Sequence, residues 1–242
     1  MSEPGRSWLR STWWKVGREA TFLLMWLLYR MRVHHQERVP RQGPVVFISN
    51  HQSFFDPIIN GAAVAPRAFT PLARQTLFRF KPFAWLIRSF GAVPIAGDNT
   101  DAAAVRLAIA EIAAGRTVLL YPEGKRSADG RLNRFQRGFL LLLRRSEAAV
   151  VPIGIEGAFD AWPRTRKAPR WSGRIDVVIG EPMRSSDLVA MPPEEALRRC
   201  ELAIDQLRLE GRAAIRARTG GRWPAPGVAD APSFGEGPEA SS

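Results

Sequence analysis

Residues 44–57 read Pro-Val-Val-Phe-Ile-Ser-Asn-His-Gln-Ser-Phe-Phe-Asp-Pro. The first six form a short apolar, β-branched run without polar alternation, the pattern of a strand buried on both faces. Pro57 disfavours the helical region at Asp56 and suits a first helical position. The chain from His51 to Asp56 therefore reads as a turn, and residues 57–64 as a short helix. A buried strand that feeds a helix sets an α/β reading for the rest of the chain.

Further strands read outward from this stretch at 117–121, 149–155 and 175–179. A helix is expected over 98–114, with capping residues at Asp98, Asn99, Thr100 or Asp101 and a stop at Gly115. Another is expected over 134–145. A long one over 193–218 carries Glu194 and Glu195 near its start and Arg212, Arg216 and Arg218 near its end, as the helix dipole favours. The fold class is α/β, a mixed and largely parallel sheet flanked by helices, with an N-terminal membrane-associating helical segment. The expected division is 1–38 for that segment, 39–218 for the main domain, and 219–242 for a Gly/Pro/Ala/Ser-rich tail without order.

The 242 residues are 45% hydrophobic, enough for a substantial core and too many for a disordered chain. Cys200 is the single cysteine, which excludes an internal disulfide and favours a reducing compartment. With only His34, His35 and His51 besides it, a zinc cage is not expected and no metal is called for. The formal net charge is +12, and only four of the 35 basic residues are lysines. An arginine-rich surface of this sign suits anionic partners, phospholipid among them.

Eight tryptophans are present, four of them before residue 27. Trp8, Leu9, Trp13, Trp14 and Val16 interleave with Arg6, Arg10, Lys15 and Arg18, ahead of an apolar run from Ala20 to Tyr29. That run is ten residues, and a bilayer span needs about 20. The pattern fits a helix lying at the headgroup level, its aromatics inserted and its arginines reaching to phosphate. A helix packed on the core is the plainer alternative. A signal peptide lacks its cleavage site, since Met31-Arg-Val-His-His-Gln-Glu-Arg38 comes next.

No G-x-S-x-G elbow and no G-x-G-x-x-G turn occurs. Gly124-Lys125 is not a nucleotide-binding loop, because Leu119 fills the required first glycine and Arg126 follows the lysine. No nucleic-acid-binding signature is present, and nucleic acid is not an expected partner.

His51 is the histidine placed to do chemistry, at the end of the first strand. Histidine is the natural general base near neutral pH, and a carboxylate on its second nitrogen fixes the tautomer. Asp56 could be that carboxylate only if the chain turns. On a straight helix a five-residue spacing leaves the two side chains roughly 140° apart. Asp before Pro is also an ordinary helix cap, and a histidine at a strand end often serves structure alone. The second strand runs into Tyr121-Pro-Glu-Gly-Lys-Arg-Ser127, a loop able to present N–H groups and a guanidinium to an anion.

Together these two elements resemble the glycerolipid acyltransferase family, which includes 1-acylglycerol-3-phosphate acyltransferases. Asn50, His51 and Asp56 match its N-H-x4-D block. Glu123, Gly124, Arg126 and Ser127 match its Glu-Gly-Thr-Arg-Ser block, with Lys125 in the Thr place. Val151, Pro152 and Ile153 match its fourth block, and Phe135 to Gly138 its Phe-x-x-Gly stretch. The likeness spans about residues 39–185. One departure lies in the second block, where Gly97 stands at the arginine place associated in the family with the acceptor's phosphate. Arg74 or Lys125 is positioned in sequence to compensate.

The resemblance implies His51 as general base and Asp56 as its orienting carboxylate. Asn50, Arg74, Glu123, Gly124, Lys125, Arg126 and Ser127 are implied in substrate binding. It implies transfer of an acyl chain from acyl-CoA or acyl carrier protein to the free hydroxyl of 1-acylglycerol-3-phosphate, without a bound cofactor. The expected partners are these substrates and a phospholipid surface, at the cytoplasmic face of the inner (plasma) membrane. Alternative readings are the same chemistry on another lysophospholipid or an aminolipid, and a non-catalytic protein that binds anionic membranes.

Overall fold

A computed structural model describes residues 8–95 and 100–234. The chain begins with a helix, α1 (Trp8–Tyr29), then an edge strand β1 (Arg32–His34) and the buried strand β2 (Val45–Ser49). Helix α2 (Asp56–Ala63) comes next, then β3 (Leu72–Arg74), α3 (Lys81–Ser89) and β4 (Val93–Ile95). Helix α4 (Thr100–Ala113) leads to β5 (Val118–Leu120), α5 (Gly138–Arg144) and β6 (Ala149–Glu156). A single turn α6 (Ala158–Ala161), β7 (Asp176–Ile179), β8 (Met183–Arg184), the short α7 (Ser185–Val189) and the long α8 (Pro193–Thr219) complete it.

The main sheet runs β1-β7-β6-β2-β5, with β8 added along β6. β2 is parallel to both β5 and β6, and β7 is antiparallel to β6. A smaller ribbon, β3 parallel to β4, continues past β5 through a bridge between Thr70 and Val118. The sheet is thus mixed and largely parallel, as the sequence predicts.

Every side chain of β2 is buried, and the period of two divides them between layers. Val45 and Phe47 face α1 and α2 with Met25, Tyr29 and Ile59. Val46 and Ile48 face α4, α5 and α8 with Ala108, Leu142, Cys200 and Ile204. Helix α8 lies flat on β6 because Gly154 carries no side chain: a Cβ there would sit 2.4 Å from the Arg208 nitrogen.

Three expectations are corrected in detail. The segment 1–38 is not a separate appendage where described, since Trp14, Met25 and Tyr29 enter the core and β1 pairs with β7. Helix α5 starts at Gly138 rather than 134, because Glu123 takes the Asn133 N–H and Glu201 takes the Phe135 N–H. The tail expected to lack order instead runs back along α8 over 223–234. Fully buried Arg208 donates to the carbonyls of Ala229 and Ala231, and Asp205 accepts from the Ser233 N–H and hydroxyl. Arg212 bridges Glu156 and Asp230, and Phe234 closes the second core. Gly97, Asp98 and Asn99, and residues 235–242, lie outside the described residues.

Candidate active site

The site grows from the carboxyl end of β2, the usual position for function in an α/β sheet. Past Ser49 the Asn50 side chain continues the ladder by imitating a peptide. Its Nδ2 donates to the Ile155 carbonyl at 2.8 Å, and its Oδ1 accepts the Ile155 N–H at 2.8 Å. Gln52 also donates to that carbonyl. Asn50 therefore fixes where the turn leaves the sheet, and is buried rather than open to a substrate.

The turn then folds back on itself. Asp56 is fully buried, and its Oδ2 accepts at 2.7 Å from the Gln52 N–H, the Ser53 N–H and His51 Nδ1. The carboxylate thus caps the turn that precedes it, not the helix it begins. This is the geometry that a regular helix denies to a five-residue spacing. With Nδ1 held by an acceptor, His51 carries its proton there and its Nε2 is free as a base. The side chain is 21% exposed. Tyr121 stacks on the imidazole with centroids 4.1 Å apart, and Asn60 donates to the Tyr121 hydroxyl. Burial and the neighbouring Asp56 push the Tyr121 hydroxyl well above its usual value, so it remains neutral.

The loop after β5 clamps the histidine backbone from both sides. The His51 N–H donates to Glu123 Oε1 at 2.6 Å, and the His51 carbonyl accepts from the Ser127 N–H at 2.7 Å. Glu123 Oε2 accepts from the backbone and side chain of Asn133. Burial pushes the Glu123 carboxyl up to about 8, opposed by these N–H donors. Ser127 accepts from the Asp129 and Gly130 N–H groups and shapes the turn. Gly124 has φ +70, which permits the reversal between Glu123 and Lys125. Glu123 and Ser127 are thus turned inward and hold His51 in place.

Arg126 points the other way. Its guanidinium lies 3.5 Å from the Phe54 ring centroid, and Arg164 donates to its backbone carbonyl. Burial lowers the Arg126 guanidinium from its usual value. The Asp56 carboxylate offsets part of this, and Arg74 and Arg164 press it lower. Three guanidiniums therefore share one rim of the site. Arg74 and Lys125 are exposed, and Arg74 ends β3. The structure brings together Asn50, His51, Asp56, Glu123 and Ser127 in the frame, and Arg74 with Arg126 at the rim.

Sequence reasoning missed Tyr121, Asn133 and Arg164. Asn133 and Tyr121 act through Glu123 and the His51 ring. Arg164 comes from the loop after α6, pinned where the Trp162 carbonyl accepts from the Phe54 N–H and the Ser53 hydroxyl. Nothing local in its sequence marks it. No cluster able to hold a metal ion occurs among the described residues.

Comparisons with known proteins identify a family and a fold. A family model described as Acyltransferase matches residues 30–156. The 1-acyl-sn-glycerol-3-phosphate acyltransferase of Streptococcus pneumoniae is 27% identical over 175 residues, 71% of this chain and 63% of that protein. The corresponding Bacillus subtilis protein is 23% identical over 73% of this chain and 85% of its own. The chloroplastic LPAT1 of Arabidopsis thaliana is 27% identical over 65% of this chain and 45% of its own. The chain thus spans under two thirds of the Streptococcus and Arabidopsis relatives. A crystal structure of the 1-acyl-sn-glycerophosphate acyltransferase PlsC from Thermotoga maritima superposes with a TM-score of 0.69 at 24% identity. That match covers 88% of this chain and 82% of the other, and establishes a shared fold.

Proposed function

The chain belongs to the acyltransferase family, and from that premise we propose that it acylates the free hydroxyl of 1-acylglycerol-3-phosphate, forming phosphatidic acid. Acyl-CoA or acyl carrier protein is the donor. The observation that carries this reading is the His51–Asp56 pair, its Nδ1 held at 2.7 Å, beside a rim of three arginines.

In the proposed step His51 Nε2 takes the proton of the acceptor hydroxyl as its oxygen attacks the thioester carbonyl carbon. The carbon–sulfur bond then breaks, and the thiolate takes the proton from the imidazolium. Asp56 stabilises that transient cation and keeps the tautomer. No acyl-enzyme forms, because the acceptor oxygen is itself the nucleophile and the thiolate a good leaving group. Arg126, with Arg74 and Arg164, binds the acceptor's phosphate by charge-assisted contacts. Three guanidiniums offer what a phosphomonoester asks for, which supports it over a zwitterionic or amino acceptor.

Membrane association at the cytoplasmic face is part of the same reading. Helix α1 buries Trp14, Met25 and Tyr29 and exposes Trp8, Leu9, Trp13, Leu23, Trp26 and Leu27. Among the described residues no helix is long and apolar enough to cross a membrane. The fit is to a helix lying in the interface.

The test is acyl transfer by the full chain with each donor against a panel of lysophospholipids and an aminolipid. Preference for 1-acylglycerol-3-phosphate is expected, with loss of transfer in a folded His51→Ala protein. Near-parental turnover in that variant would overturn the mechanism, and preference for a neutral acceptor would overturn the assignment.

A further inference from the structure

Helix α3 presents an unusual surface. From residue 77 to residue 86 the chain exposes Leu77, Phe80, Phe83, Trp85 and Leu86, and Phe80 and Trp85 are each 68% exposed. Only Ala84 of α3 is buried. Soluble surfaces seldom gather large apolar side chains so closely, and such a patch marks an interaction site. The flanks are basic: residues 57–97 contain Arg67, Arg74, Arg79, Lys81 and Arg88, and not one Asp or Glu. An aromatic patch bordered by cations alone complements an anionic lipid surface, where inserted rings and screened charges act together.

The patch also joins the surface of α1. Trp13 stacks on Phe90 with centroids 5.7 Å apart and donates to the Ser89 hydroxyl, while Trp14 donates to the Phe90 carbonyl. The exposed residues of α1 and of α3 therefore meet at one joint. Along the chain, β3 lies between the turn at His51 and α3, and it ends on Arg74 of the arginine rim.

We propose that α3, with the turn before it, is a second bilayer-inserting surface for anionic phospholipid, docking the protein through two elements beside its arginine rim. The inference rests on the membrane-associated reading of α1 but not on the acyl-transfer reading. Two elements in contact fix orientation as one helix cannot, and present the rim to a lipid phosphate at headgroup depth.

The experiment uses the full chain and vesicles of phosphatidylcholine with or without phosphatidylglycerol. Phe80→Ser/Trp85→Ser changes only exposed side chains and is expected to reduce partitioning into anionic vesicles at least tenfold. Transfer to a dispersed short-chain acceptor should stay at the parental level. Brominated acyl chains should quench parental fluorescence more than that of Trp85→Phe, which keeps an aromatic ring in place. Unchanged partitioning and quenching would overturn the proposal, as would equal binding to both vesicle types. Loss of a lipid-free dimer in the double variant would assign the patch to a second copy instead. Failure of acyl transfer with intact vesicle binding would defeat the catalytic reading and leave this one standing.

Discussion

Asp56→Asn separates what the carboxylate does for the turn from what it does for the base. Its Oδ2 accepts two backbone N–H groups and His51 Nδ1, each at 2.7 Å, whereas buried Oδ1 has no hydrogen-bond partner. An asparagine oxygen would stay against the two fixed backbone donors, and the amide nitrogen would fall in the place of Oδ1. The turn and the Nδ1–H tautomer should therefore persist, with three charge-assisted bonds weakened to neutral ones at a cost of about 1 kcal/mol each. What disappears is the attraction between carboxylate and imidazolium. Two unit charges about 4 Å apart at an effective dielectric of about 20 attract by roughly 4 kcal/mol. At about 1.4 kcal/mol per decade, kcat should fall by about 10³. The assay is turnover with both substrates saturating, alongside urea unfolding of each protein. A folded variant within tenfold of parental kcat would refute the charge argument and leave Asp56 a cap for the turn.

Glu123→Gln should fold, orphan one buried N–H at a cost of about 1–3 kcal/mol, and lower kcat while leaving acceptor KM unchanged. A rise confined to acceptor KM would make Glu123 a headgroup ligand instead. Arg126→Ala and Arg164→Ala should each raise acceptor KM by about tenfold to about 150-fold, from contacts worth roughly 1.5–3 kcal/mol. Steady-state kinetics with donor and acceptor varied separately decides this, and an effect on donor KM alone would reassign the rim. Burial raises the folded-state pKa of Glu123 from 4.5 to about 8, so its contribution to stability is full below 4.5 and lost as pH rises through about 8. Urea unfolding across that window should show stability falling by up to about 1.4 kcal/mol per pH unit from this group, and Glu123→Gln should flatten the slope.

How much of this could be read in advance depends on how local the cause is. β2 announces itself because five consecutive buried positions leave an uninterrupted apolar run. The His51–Asp56 pairing is legible because Pro57 forces the turn that brings them together. β3, α3 and β4 are not, since α3 turns its large apolar residues outward and its periodicity points to no core. The true partners of the 223–234 strap are Arg208 and Arg212, and the sequence marks Arg212 only as a basic residue near the end of α8. A Gly/Pro-rich tail signals order only once a buried guanidinium waits for its carbonyls. Arg164 is 38 residues from Arg126, and only the fold makes them neighbours.

The strap has a bearing on the order in which a ribosome delivers this molecule. Arg131 donates to the carbonyls of Pro232 and Ser233, and the Leu132 N–H donates to the Ser233 hydroxyl. The next residue, Asn133, holds Glu123, which holds the backbone of His51. The segment at the far end of this chain of contacts is therefore made some 180 residues after His51, whereas α1 is made before it. A nascent chain stalled before residue 223 should already adhere to vesicles yet turn over poorly. Adding a synthetic 223–234 peptide in trans is then expected to restore activity in proportion to its occupancy of the vacant track along α8.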